Sequence, residues 1–219
     1  YQELKIHNTE LLIIIAPGKG YFYPEYIPDS LTKEPGITNY KVYIEELSKM
    51  TIPYIDFNDL FLKMKDTSSI ILYPKTGIHW SQGIIPFVMD SIIKKVEHQL
   101  DQDLPDITWT YPNPATSPDR QDADIERSLN LLFPLKTPPM MYPDIKFETK
   151  GEYQFMPKTI TVADSFWWQL FNKKIGTKSF KNSDFWYYFN ESYSGWALEK
   201  TDVKDLNIKA ELLQSDIVI

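Results

Sequence analysis

The chain contains no cysteine. Disulfides, thiolate zinc sites, iron–sulfur clusters and cysteine nucleophiles are therefore excluded. Histidine is almost as scarce: His7, His79 and His98 are the only three among 219 residues. A zinc centre built on several histidines is not expected, and any histidine base must be one of these. Glycine is also sparse, with 8 residues against 16 prolines, and Gly18 and Gly20 lack the spacing of a phosphate-binding loop. No apolar run approaches the ~20 residues needed to cross a bilayer. The longest, Leu11 to Ala16, reads as a buried strand. No signal-peptide pattern is present, which by itself says little about location. The formal net charge is −7, and the 23 basic residues are scattered. No basic stripe exists to follow a phosphate backbone, so a nucleic-acid partner is disfavoured.

What remains is the composition of an ordinary soluble domain, 42 % apolar and 24 % charged. Its length fits one α/β domain over residues 1–219. Leu11–Ala16 stops at Pro17-Gly18, Ser69–Tyr73 stops at Pro74, and Thr159–Ala163 stops at Asp164-Ser165. Such continuous β-branched runs suit strands covered on both faces, as in parallel sheets. Thr51–Asp56 and Gln214–Ile219 are weaker strand candidates. Helical periodicity lies between them, over Ile37–Met50 and most clearly over Ser81–Leu100. There Ile85, Met89, Ile92, Val96 and Leu100 share one face. This alternation predicts a mostly parallel α/β sheet with helices on both faces. The stretch Asp101–Pro143 differs: it holds eight of the sixteen prolines, with a short helix over Asp122–Leu132. It reads as an ordered excursion that walls one side of a site. The final Asp216–Ile219 reads as the start of a buried strand, as in a fragment of a longer chain.

In open parallel sheets, ligands bind beyond the carboxyl ends of the strands. Three polar segments follow the three strongest strands: Gly18-Lys19-Gly20, Lys75–Trp80 and Asp164-Ser165-Phe166. A serine and a histidine on one rim are the parts of an acyl-transfer site. Position alone leaves alternatives open. Ser165 can be a helix N-cap, His79 can satisfy a loop carbonyl, and Lys19 can be an exposed turn residue. His98 falls opposite the apolar stripe of its helix, and His7 has no neighbour in sequence to work with. The stretch Phe166–Trp196 holds twelve of the 32 aromatics, with dense parts at Trp167-Trp168 and Phe185–Phe189. One reading is core packing behind the serine turn. The other is a set of exposed rings that stack on sugars.

Together these motifs resemble the SGNH-hydrolase-like alginate O-acetyltransferases. The apolar strand followed by Pro17, Lys19 and Tyr23-Pro24-Glu25 is similar to the family's opening segment. Thr76-Gly77-Ile78-His79-Trp80 is similar to its histidine–tryptophan motif, and Ala163-Asp164-Ser165-Phe166 to its serine block. The histidine motif precedes the serine, as in that group. The resemblance implies an SGNH-hydrolase-like (flavodoxin-like) fold, with Ser165 as nucleophile, His79 as base, and Asp164 and Lys19 as supporting residues. Trp80, Trp167 and Trp186 are then candidates for substrate binding. It further implies a periplasmic or extracellular bacterial O-acetyltransferase or acetylesterase that needs no metal or organic cofactor. The acceptor would be a polysaccharide, and a membrane-bound acyltransferase would supply the acyl group. Two positions depart from the pattern. Gly77 stands where the family often has an aspartate two residues before the histidine, and Ala163 replaces the glycine of the serine block. Without an acid at residue 77, a non-catalytic carbohydrate-binding or scaffold protein of the same fold is the alternative expectation.

Overall fold

The computed structural model describes residues 1–31, 36–148 and 155–219. Its elements in chain order are α1 (Gln2–Ile6), β1 (Glu10–Leu11), β2 (Ile13–Ile15), α2 (Lys19–Phe22), α3 (Asn39–Lys49), β3 (Tyr54–Asp56), α4 (Phe57–Met64) and α5 (Ile85–Leu100). They continue with β4 (Asp106–Thr110), α6 (Asp124–Ser128), β5 (Asp144–Glu148), β6 (Lys158–Ala163), α7 (Trp167–Asn172) and β7 (Lys181–Tyr187). The chain closes with β8 (Glu191–Ser194), β9 (Lys200–Asp202), α8 (Ile208–Leu213) and β10 (Ile217–Val218), with single 3-10 turns between some of them.

The main sheet has six strands in the order β1-β10-β6-β7-β8-β9. The contacts β1–β10, β10–β6 and β6–β7 are parallel, and β7–β8–β9 is an antiparallel meander. Separately, β2 pairs with β3 in parallel. The fold is thus mixed α/β with a mostly parallel centre. Strand alternation divides the apolar side chains between two faces. Phe185 of β7 joins a large core with Phe57, Phe61, Val88, Ile92 and Leu170, under α4, α5 and α7. Its neighbour Trp186 points the other way, into a smaller cluster with Ile160 and Val203 that Leu206, Ile208 and Leu212 cover. Both faces are covered, so adjacent aromatics on one strand can both be buried. Tyr188 and Phe189 are exposed because the turn to β8 takes them off the sheet, both at positive φ.

Several sequence expectations are met. Strands occur within Leu11–Ala16, Thr51–Asp56, Thr159–Ala163 and Gln214–Ile219, and α3 and α5 lie within their predicted helices. The predicted strand Ser69–Tyr73 is not one. Its carbonyls are taken locally: the Ser81 N–H donates to Leu72 O and the Ser81 hydroxyl to Ile71 O. The same bonds hold Ser81 in a turn, so α5 begins only at Ile85 with Pro86 in its first turn, where the missing N–H costs nothing. The helix predicted over Asp122–Leu132 is the single short α6. In the Asp101–Pro143 stretch, β4 pairs antiparallel with β5, which begins just after it, and Ala115 bridges Met140 further out. The stretch is therefore a long arm on a two-stranded stem, with α6 near its tip.

Trp186 is fully buried in the smaller of the two cores. Trp186→Ala should cost about 3–5 kcal/mol, from lost burial plus the cavity left behind. Denaturant unfolding would measure this, and a loss below 1 kcal/mol would contradict the packing described.

Candidate active site

Ser165 follows β6 directly and sits in the turn before α7. The hydroxyl of Asp164's neighbour does not cap that helix, whose N-cap is Phe166 without a side-chain bond. Instead, Ser165 Oγ lies 2.9 Å from His79 Nε2. Asp164 tightens the turn, its Oδ1 accepting the Phe166 N–H at 2.9 Å. The His79 ring meets Phe166 edge to face at 4.9 Å, and Phe166 in turn meets Trp80 at 5.1 Å. Phe166 thus links the serine turn to the histidine loop, a role its sequence context did not single out.

The other His79 nitrogen, Nδ1, faces Asp124 Oδ2 at 3.3 Å. This carboxylate lies in the Pro-rich arm, far along the chain from the histidine motif. It is the acid that residue 77 does not supply. Five hydrogen bonds fasten the arm to the histidine loop. Thr76 Oγ1 donates to Asp122 O, the Gln82 N–H to Asp122 Oδ1 and the Ile78 N–H to Asp124 Oδ1. The Ile125 and Glu126 N–H groups both donate to Thr76 O. Gly77 lies at the centre of this contact. A Cβ there would stand 2.9 Å from the Asp122 carbonyl oxygen and 2.9 Å from Pro74 Cγ. The glycine and the distant acid therefore belong together: the arm can lie close enough to present Asp124 because residue 77 has no side chain.

Lys19 opens α2, beyond the end of β2. Its ammonium donates to Pro74 O at 2.7 Å, to Lys75 O at 2.9 Å and to Gly77 O. It gathers three carbonyls of the loop that leads to His79. Burial pushes the Lys19 pKa down to about 8, against the opposing pull of Asp124. The Tyr73 hydroxyl donates to Ile78 O on the same loop. Burial also lowers the His79 pKa below its ordinary 6.5, while Asp124 and Asp164 act in the opposite sense. Burial raises the pKa of Asp122 to about 6, offset in part by its bond from the Gln82 N–H.

The three tryptophans expected at a sugar surface are elsewhere. Trp80, Trp167 and Trp186 are 2 %, 6 % and 0 % exposed. Trp80 packs on Phe57, and Trp80 and Trp167 line an apolar cavity of about 310 Å³ beside Ala163 and Asp164. Their ring faces are committed to packing, and the sequence expectation for them is corrected accordingly. His7 and His98 are exposed and lie outside the site.

The chain is a mixed α/β fold with a serine turn after a parallel strand and a facing histidine, and its fold is similar to that of two solved structures. The chain superposes on the O-acetyltransferase domain of Pseudomonas putida AlgJ with a TM-score of 0.53 and 16 % identity, covering 85 % of this chain and 66 % of that one. Bacillus cereus PatB1, solved with a sulfonyl adduct, gives a TM-score of 0.51 and 12 % identity over 84 % of this chain and 74 % of that one. At such identities the likeness is one of fold. No protein-family model matches the chain, and no curated protein matches it by sequence.

Gly77→Asp, which places a carboxylate two residues before His79, should disrupt the site. The new Cβ has backbone on one side and a proline ring on the other, and such overpacking costs about 1–3 kcal/mol. The amides of Ile78 and Ile125 should lose protection in hydrogen exchange. Unchanged protection would show that the arm does not depend on a bare residue 77.

Proposed function

We propose that the protein is a serine-dependent O-acetyltransferase of an exported polysaccharide, working through an acyl-enzyme on Ser165. The observation that supports this most is the chain of contacts from Ser165 Oγ to His79 Nε2 and from His79 Nδ1 to Asp124 Oδ2. The shared fold with an O-acetyltransferase domain is in keeping with it.

In this mechanism neutral His79 accepts the Ser165 proton at Nε2 as Oγ attacks the carbonyl carbon of an acetyl donor. The carbonyl π electrons move to oxygen, and the Ser165 N–H stands beside the developing oxyanion. The tetrahedral adduct collapses, and the departing oxygen takes the proton from His79. The second half runs in reverse. A sugar hydroxyl gives its proton to His79, attacks the acetyl-serine carbonyl, and leaves as an acetyl ester while Ser165 recovers its proton. Water in place of the sugar would give hydrolysis, so exclusion of water decides between transferase and esterase. Asp124 holds the Nδ1–H tautomer and stabilises the imidazolium. Lys19 acts at one remove, by holding the loop that carries His79. An exported location and a membrane-bound acyl donor accompany this reading, as the family resemblance implies. Among the described residues, no helix is long and apolar enough to cross a membrane. The reading as a non-catalytic sugar-binding scaffold drew on aromatic density and the bare residue 77. The burial of Trp80, Trp167 and Trp186 and the position of Asp124 beside His79 favour the catalytic reading over it.

Turnover of p-nitrophenyl acetate should fall by at least ~10³ in Ser165→Ala. A sulfonyl fluoride should label Ser165, as mapped by peptide mass spectrometry. Equal turnover in the variant, or labelling elsewhere, would remove Ser165 as nucleophile.

The pH profile carries a separate prediction. His79 must be neutral to accept a proton, and burial lowers its pKa, so the acid limb of kcat/KM should lie below pH 6.5. Asp124 raises that pKa, so Asp124→Asn should move the limb to still lower pH. It should also cut the maximal rate by about 10²–10⁴, as expected for loss of the orienting acid. A limb that stays in place would separate Asp124 from His79.

A further inference from the structure

Beyond the acyl-transfer site, the tip of the arm carries a feature with no role in that chemistry. Over Leu129–Leu135, five large apolar side chains face solvent: Leu129, Leu131, Leu132, Phe133 and Leu135. Leu132 and Phe133 are the extremes, at 94 % and 81 % exposed. Apolar side chains exposed this densely mark an interaction site. The segment follows α6, whose first residue is Asp124. At 1.5 Å per residue, Leu129 starts roughly 8 Å along the helix from that acid.

The charges at its base are equally uneven. Arg120 and Arg127 are the only arginines in the chain. With Lys136 they line an open cleft of about 830 Å³ beside Leu131 and Leu135. Among the described residues, none of the three makes an ion pair. Glu126, the one acid in that lining, has Oε1 engaged by the Leu135 N–H at 2.7 Å. The other acids nearby have partners of their own. Asp122 is buried against Gln82, Asp124 faces His79, and Asp119 Oδ1 accepts the Gln121 N–H. A protein of net charge −7 thus exposes an apolar tip backed by three cations that, among the described residues, have no ion-pair partner.

We propose that residues 129–135 form a finger that docks the protein on an anionic lipid surface. Leu132 and Phe133 would enter the headgroup boundary, and Arg120, Arg127 and Lys136 would meet lipid phosphates. Apolar and aromatic side chains backed by basic ones are the signature of interfacial binding. Each cation near an anionic leaflet adds to the attraction. The shape favours lipid over a protein groove. The tip is irregular backbone that projects side chains without a helical stripe or a strand edge, and a fluid interface accepts such a surface without a matched cavity. Docking here would hold the site within a short distance of the membrane surface.

The test is co-sedimentation of the whole chain with phosphatidylcholine vesicles, with and without phosphatidylglycerol. The protein should sediment with the anionic vesicles and be released by salt. Two double variants, Leu132→Ser with Phe133→Ser and Arg120→Gln with Arg127→Gln, should each weaken partitioning roughly tenfold or more. Both should keep the far-ultraviolet circular dichroism and the p-nitrophenyl acetate turnover of the parent. Ser165→Ala should still bind vesicles, so failure of docking and failure of the catalytic reading are told apart. The proposal is overturned if the parent stays in the supernatant or the variants sediment like it. It is equally overturned if light scattering shows a dimer, lost with Leu132→Ser and Phe133→Ser, while vesicles are ignored.

Discussion

The candidate site depends on one contact, the seating of residues 122–126 on the loop 76–82. Among the described residues, Asp124 is the one carboxylate paired with His79 Nδ1. The contact is made largely by backbone: two N–H groups share the Thr76 carbonyl, and the Thr76 hydroxyl reaches the Asp122 carbonyl. Backbone hydrogen bonds need close approach, and close approach requires that residue 77 carry no Cβ. The bare residue 77 is what lets the arm bring Asp124 to His79.

The same seating links parts of the chain with different origins. Ser165 is delivered by the parallel sheet, His79 by a loop gathered on the Lys19 ammonium, and Asp124 by an arm rooted in a separate two-stranded stem. Phe166 packs edge to face between the first two. The serine turn and the histidine loop have hydrogen bonds of their own, and the arm is held to the histidine loop by bonds on either side of Asp124. That is the arrangement expected where geometry must persist while a proton moves between them.

Much of the framework was legible in the sequence because its signals are local. The β-branched run ending at Ala163 and the apolar stripe of α5 each state a period and a burial, and both are found. His79 stood out because histidine is scarce, and Ser165 because it directly follows a β-branched run and the motif order was specific. The failures were contextual. Ser69–Tyr73 has the composition of a strand, yet Ser81 takes its carbonyls. Trp186 of β7 was placed at a sugar surface and is buried, because a second covered sheet face cannot be seen from a single segment. Asp124 had no local mark at all. A short helix among prolines shows its role only when the arm is folded back onto residues 76–82.

The central claim is that Asp124 holds the Nδ1–H of His79. The most direct measurement is proton NMR of the protein with ¹⁵N-labelled histidine, following the ring N–H of His79. The account predicts a downfield, exchange-protected Nδ1–H in the parent that persists in Ser165→Ala and is lost in Asp124→Asn. A resonance that survives Asp124→Asn unchanged would show that another group orients the histidine.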